Sequence, residues 1–190
     1  RITLSSLKTD FSGTQYPYAT FTPTRVFLYN ALSASRVNTS LEPSVSMPSD
    51  ATYITGGGSW NGSSWSGSHS FLYEDIPAGG TSGYYWFYAF ANDGSVRPTA
   101  FVIQGLFDPD GAGSLAGSMV FYPVVINKIQ PGTDFNAGYS GGTSTGSIIR
   151  NRQYNLNVKL SGKGVDSPEK SIIPGYLGVS LSVSDRKSVV

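Results

Sequence analysis

The sequence contains no cysteine, a single histidine and few charged residues for its length. The lack of cysteine excludes disulfides, thiolate nucleophiles and cysteine-ligated zinc. Charged residues make up 13% of the 190 positions, against roughly 25% in an average globular domain. The 13 basic side chains are scattered and the net charge is +1, so no basic footprint for nucleic acid is present. We therefore expect neither nucleic acid nor a cofactor or metal as a ligand.

Long apolar runs are also missing from the sequence. No stretch approaches the roughly 20 apolar residues with which a helix spans a bilayer. The first residues lack the basic and apolar segments of a signal peptide, so an exported protein would be represented here by its processed chain.

Turn-forming and aromatic residues are abundant instead. The chain has 23 glycines, 11 prolines and 13% aromatic residues, a mixture typical of strands separated by turns. A length of 190 residues is enough for one sizeable core, so we predict a single all-β domain over residues 1–190.

Alternation of apolar and polar residues indicates about eight strands. It is clearest in two late segments, where Tyr154, Leu156, Val158 and Leu160, and then Leu177, Val179, Leu181 and Val183, lie on one face. A slip of one residue would reverse every side chain, so the register of both segments is well specified. The other predicted strands are Ile2–Ser5 (with a phase break towards Leu7), Ala19–Ala31, Ser70–Asp75, Tyr84–Ala91, Thr99–Phe107 and Ser118–Ile126. Together they predict a sandwich of two antiparallel sheets.

Several turn and proline positions refine this prediction. Pro23 and Pro123 mark edges or bulges, because proline lacks the N–H that a central strand donates. Asn92-Asp93-Gly94 has the turn chemistry of a hairpin between Tyr84–Ala91 and Thr99–Phe107. Both of those strands are apolar on successive residues, so we expect both of their faces to be covered and Trp86 to lie in the core. Residues 33–68 and 127–145 are irregular.

Catalytic patterns are weak. His69 lies in a Gly/Ser tract without a nucleophile elbow, and the adjacent Glu74 and Asp75 would point to opposite faces of a strand. Asp108-Pro109-Asp110-Gly111 begins like a calcium loop, but Met119 stands where an EF-hand loop needs glutamate. Turn chemistry accounts for these aspartates, with a looser Ca²⁺ site as the alternative. We therefore predict that the chain is not an enzyme, and a β-sandwich hydrolase is the weakest hypothesis.

Trp60 and Trp65 are candidate glycan contacts. Both lie in a Gly/Ser-rich loop, where an indole either packs down or binds a ligand such as a sugar ring. Packing is the favoured interpretation, and a carbohydrate-binding β-sandwich module is the alternative function.

Three stretches resemble the fimbrillin family, the subunits of type V pili of Gram-negative anaerobes. They are residues 1–31, Met119–Asn127, and Ile149-Arg150-Asn151-Arg152 followed by Tyr154–Gly164. The resemblance covers the chain from end to end except in the loops, and Leu177–Asp185 falls where the family's terminal strand is expected. The lipidated cysteine and first domain of these pilins have no counterpart, so we expect the chain to be the C-terminal domain of a two-domain pilin.

The resemblance implies a Greek-key, transthyretin-like β-sandwich. It also implies an extracellular fimbrium attached to the outer membrane, a lipid-anchored precursor, and assembly with other pilin subunits by β-strand exchange. In that scheme Leu177, Val179, Leu181 and Val183 are the donor-strand candidates, in the same molecule or in a neighbour, and the fimbria supports adhesion to a host protein or glycan.

Overall fold

The computed structural model describes residues 1–35, 51–57, 59–60, 65–67, 69–79, 84–129, 145–173 and 176–185. Within these ranges the regular secondary structure is all β-strand except for one short 3₁₀ turn at Ser70–Leu72. The strands are β1 (Ile2–Thr9), β2 (Thr20–Tyr29), β3 (Ala31–Leu32), β4 (Tyr53–Ile54), β5 (Ser59–Trp60), β6 (Trp65–Ser66), β7 (Tyr73–Asp75), β8 (Tyr85–Phe87), β9 (Ala100–Asp108), β10 (Ser118–Val125), β11 (Arg152–Leu160) and β12 (Leu177–Asp185).

Eight of these strands form two four-stranded sheets. Sheet A has the order β12-β11-β1-β8, and sheet B has the order β10-β9-β2-β7. Taken in chain order, the first, fourth, seventh and eighth of these eight strands form sheet A and the others form sheet B. This is the predicted transthyretin-like Greek-key sandwich. The pairing of β1 with β11 is parallel, whereas the remaining pairs are antiparallel.

Alternating apolar side chains fill the space between the sheets, as the sequence predicts for β11. Tyr154, Leu156, Val158 and Leu160 are each no more than 2% exposed. They pack in one cluster with residues of sheet B such as Val26 and Ile103. The alternation of β11 is therefore that of a strand with one face in the core.

Strand β9 is covered on both faces, as its continuous apolar sequence predicts. Its other face carries a second buried cluster, formed by Phe27, Ala100, Val102 and Phe121. The segment after β11 crosses this face, since Val165 forms a β-bridge with Phe121. Glu169 Oε1, further along the segment, accepts a hydrogen bond from the Tyr29 hydroxyl at 2.8 Å.

The predicted irregularities in β1, β2 and β10 are confirmed. The register of β1 against β11 shifts between Leu4 and Ser6, and this bulge returns Leu7 to the core side. The register of β2 against β9 shifts just after Pro23. Pro123 lies on β10, the outer strand of sheet B.

The predictions for residues 84–94 were wrong in three respects. The strand is only Tyr85–Phe87, and Trp86 is 49% exposed instead of lying in the core. Asn92 does not begin a hairpin, because β8 belongs to sheet A and β9 to sheet B. Its side-chain amide donates to the Arg97 carbonyl and to Thr99 Oγ1, while its backbone pairs with Ile148. These bonds hold the segment that connects β8 of sheet A to β9 of sheet B.

Candidate functional site

Strand β12 lies at the outer edge of sheet A. It pairs antiparallel with β11 through nine residue pairs, from Leu160 opposite Leu177 to Arg152 opposite Asp185. No strand in the described part of the chain pairs with its other edge. The ladder with β11 therefore fixes the register of β12. The backbone N–H and C=O groups on the other edge of β12 face away from sheet A.

The four donor-strand candidates all point toward the protein's own core. Leu177 and Leu181 are each 2% exposed, whereas Val179 and Val183 are partly buried and pack against the same cluster. In this structure the terminal strand is thus paired with its own chain.

The chain approaches β12 through a tight contact between Tyr176 and Gly162. A Cβ atom at Gly162 would overlap the Tyr176 ring. The Ser161 amide donates to the Tyr176 carbonyl at 2.9 Å, and the Tyr122 hydroxyl donates to the Gly162 carbonyl at 2.8 Å. Burial raises the pKa of the Tyr122 phenol, so this donor keeps its proton at any physiological pH.

At the other end of β11, a turn at Ile149–Arg152 leads into the strand. Asn151 has a φ of 57°, a left-handed conformation that asparagine tolerates better than most residues. The Ile149 amide donates to the Tyr154 hydroxyl at 2.8 Å, and the Tyr154 amide donates to the Arg1 carbonyl at 2.9 Å. The turn therefore aligns β11 with the start of β1.

A cavity of about 350 Å³ opens beside this turn. Its wall includes the aromatic rings of Tyr88 and Phe90 and the side chains of Arg1, Arg150 and Arg152. The Arg150 guanidinium donates to Ser35 Oγ at 3.2 Å. The cavity thus joins an aromatic wall to a basic one at one end of sheet A.

Solved structures share this architecture, although no family model matches the sequence. A fimbrilin from Porphyromonas gingivalis is similar with a TM-score of 0.64 at 18% identity, over 97% of this chain and 57% of that one. A candidate cell adhesion protein from Bacteroides eggerthii has a TM-score of 0.63 at 21% identity, over 97% of this chain and 54% of that one. A candidate cell adhesion protein from Parabacteroides distasonis has a TM-score of 0.55 at 20% identity, over 100% and 52%.

The chain has the fimbrillin fold. It spans little more than half the length of each of these three structures. Within the fimbrillin fold, the stretch from Ile149 to Gly164 that carries the sequence resemblance comprises the turn, strand β11 and the Gly162 contact with Tyr176. This stretch therefore contains strand β11, which lies between β1 and β12, together with the contacts at both ends of that strand.

The candidate glycan contacts Trp60 and Trp65 lie opposite each other in the ladder of β5 and β6. Their side chains fall outside the described residues, so their role as glycan contacts stays a prediction.

The acidic loop after β9 is held by its own carboxylates. Asp108 accepts hydrogen bonds from the amides of Asp110 and Gly113, and Asp110 accepts from the Ala112 amide and the Ser114 hydroxyl. The Ser114 hydroxyl and the loop amides hold the pKa of Asp110 below its usual value. These bonds are the turn chemistry predicted for these aspartates.

His69 lies before the 3₁₀ turn. Its Nδ1 is 3.1 Å from the Thr55 carbonyl oxygen, and its ring meets the Phe71 ring edge-on with centroids 5.8 Å apart. Both contacts are those of a histidine that packs locally.

No helix in the described part of the chain is long and apolar enough to cross a membrane.

The sequence interpretation missed an exposed row of aromatic side chains on and around β8. Tyr84, Trp86, Tyr88 and Phe90 are 75%, 49%, 54% and 49% exposed, whereas Tyr85 between them is buried. Exposed and buried residues alternate along this segment. Every residue of Tyr84–Phe90 except Ala89 is aromatic, however, so apolar character alone did not separate the two faces.

Proposed function

We propose that the chain is a domain of a cell-surface fimbrial subunit, a structural protein that assembles with other pilin subunits by exchange of strand β12. The observation that carries the proposal is the place of β12: a strand at the edge of sheet A, with a regular apolar face and one complete ladder. The fold shared with a fimbrilin and with candidate cell adhesion proteins supports the same role.

Strand β12 makes the same contacts in its own sandwich and in a neighbour's, so exchange neither gains nor loses them. Departure of β12 would expose the edge of β11 and the core positions filled by Leu177 and Leu181, each of which stabilises the fold by about 1.5–3 kcal/mol. A β12 strand from a neighbour would restore the nine-pair ladder and both side chains. Protein concentration and the contacts around the exchanged strand then decide which state dominates.

The resemblance to the fimbrillin family implies the wider setting of this role, namely an extracellular fimbrium attached to the outer membrane, with the precursor held by a lipid anchor. The fimbria would support adhesion to host protein or glycan. The subunit requires no catalytic residues for any of these steps.

Val179→Asp tests the proposal. Val179 is only partly buried in its own sandwich, so the domain is expected to fold and be secreted. In either groove the half-buried carboxylate lacks a partner, which is unfavourable; in its own sandwich the rest of the core maintains the fold, whereas a neighbour holds the strand through these contacts. We expect secreted subunits but no polymers in electron micrographs of cells that carry this variant in the full-length subunit.

Ser180→Asp is the matched control. Ser180 is the next residue of β12 and lies on the opposite face, so its carboxylate stays in water in either state and polymers should form as in the wild type. Normal fimbriae from the Val179→Asp variant would refute strand exchange through β12.

A further inference from the structure

The central part of the outer face of sheet A is an uncharged polar surface. It consists of hydroxyl and amide side chains that alternate with the core residues of three neighbouring strands. We call this surface the polar platform and define it by Thr3, Ser6, Gln153, Asn155, Asn157, Ser180 and Ser182.

Hydrogen bonds order the side chains of the polar platform. Gln153 Nε2 donates to Asn155 Oδ1 at 2.8 Å, and the Ser6 hydroxyl donates to Asn157 Oδ1 at 2.9 Å. Each of these amides has more donors and acceptors than these bonds use. The platform is therefore arranged in advance and retains hydrogen-bonding capacity.

An aromatic margin borders the polar platform along β8. Tyr84, Trp86 and Tyr88 are exposed, and they alternate with the buried Tyr85 and Phe87. The rings of Trp86 and Tyr88 meet edge-on with centroids 5.2 Å apart. Four residues of extended chain span about 13 Å, so the margin is long enough to contact more than one ring of a ligand.

Thr3 joins the margin to the platform and carries an unsatisfied hydroxyl. It lies between the core residues Ile2 and Leu4 and opposite both Trp86 and Asn155, so it points to the outer face. Thr3 is 7% exposed, and its Oγ1 has no hydrogen-bond partner among the described residues. A buried hydroxyl without a partner is unfavourable; Thr3 Oγ1 is closed to solvent in this structure, so a sugar hydroxyl would bond it when a neighbouring side chain moves aside.

We propose that the polar platform and its aromatic margin form a binding site for an uncharged oligosaccharide. The apolar C–H face of a sugar ring would stack on the Trp86 indole, while the amides and hydroxyls of the platform would bond the sugar hydroxyls. Binding sites commonly combine apolar contact with a few placed polar groups in this way.

The composition of the face distinguishes a sugar from a protein partner. Protein interfaces bury an apolar centre inside a polar rim, whereas the centre of this face holds amides and hydroxyls and its aromatics lie on one margin. The centre of the face carries no charged side chain, which favours a neutral ligand. Lys8 and Lys159 lie at one end of the face, where the Lys159 ammonium pairs with Asp10 at 2.7 Å, and Arg1 lies at the other end, where it lines the same cavity as Tyr88.

Binding of the 190-residue chain to an array of uncharged and acidic oligosaccharides tests this site, followed by titration calorimetry with the best uncharged ligand. We expect the wild type to bind at least one uncharged oligosaccharide and Trp86→Ala to weaken that binding tenfold or more. Phe71→Ala is the matched control, because Phe71 is 67% exposed but lies in the 3₁₀ turn. Its removal should leave the affinity unchanged.

Thr3→Val separates ligand contact from folding. Valine has nearly the same shape but lacks the unpaired hydroxyl, so the thermal midpoint should stay equal or rise while binding weakens. Four results would overturn the proposal: no uncharged oligosaccharide binds, only acidic ones bind, Trp86→Ala binds as well as the wild type, or Thr3→Val binds as well as the wild type. Loss of self-association in Trp86→Ala without any sugar binding would assign the face to a second copy of the chain instead.

Discussion

At the scale of single residues, Gly162 and Tyr176 set the point where the chain meets β12. The Tyr176 ring occupies the space that any larger side chain at position 162 would need. The backbone around it is fixed as well, because the Ser161 amide and the Gly162 carbonyl are both hydrogen bonded. The ring therefore has little freedom to move aside without disturbing the start of β12.

Gly162→Ala is accordingly expected to destabilise the domain by about 1–3 kcal/mol, the usual cost of forcing an extra methyl group into a packed site. The midpoint of urea unfolding measures the effect. Gly13→Ala is the matched control, since a Cβ at Gly13 meets nothing within 4 Å. Equal midpoints for the two variants would show that Tyr176 does not constrain this position.

At the scale of the strand, β12 and β9 differ in how they are held. Strand β9 lies between two neighbours and is buried on both faces, whereas β12 has one neighbour and half-buried residues such as Val179. Segments with few buried contacts open at lower free energy than the global unfolding of the domain. Strand exchange requires an opening of this kind.

Native-state hydrogen exchange is therefore expected to separate the two strands. The amides of β12 that bond to β11 should exchange through a local opening, while those of β9 should exchange only on global unfolding. If increasing urea leaves the two sets with the same opening free energy throughout, β12 does not detach independently.

The same contrast explains which strands could be predicted from the sequence. From Tyr154 to Leu160 and from Leu177 to Ser184 the apolar residues occupy every second position, so the strands and their core faces followed directly. In Tyr84–Ala91 the exposed residues are as apolar as the buried ones, so Trp86 was assigned to the core. The Asn92 turn was assigned to a hairpin because local turn chemistry does not reveal which sheet the next strand joins.

At the scale of the whole molecule, the sandwich topology depends on contacts distant in sequence. The parallel pairing of β1 with β11 joins Ile2 to Tyr154, and no local pattern encodes it; the predicted Greek-key order came from the family resemblance. The polar platform was missed for the same reason. Its members come from β1, β11 and β12 and its aromatic margin from β8, and only the sheet order places them side by side.

The most direct test of strand exchange is a reversible lock of β12 in its own sandwich. Asn157 and Ser180 are opposite each other on the outer face, at a Cα separation of about 4.5–5.5 Å for an antiparallel pair, which suits a disulfide. These 190 residues contain no cysteine, so Asn157→Cys with Ser180→Cys introduces the only pair within this domain, and the two single variants serve as controls.

Polymers formed by the full-length subunit with this pair are to be measured before and after reduction. If β12 assembles fimbriae by exchange, the oxidised subunit stays monomeric, and reduction restores polymers at the rate of the single variants. Polymers that form equally fast from the oxidised and reduced subunits would contradict exchange of β12.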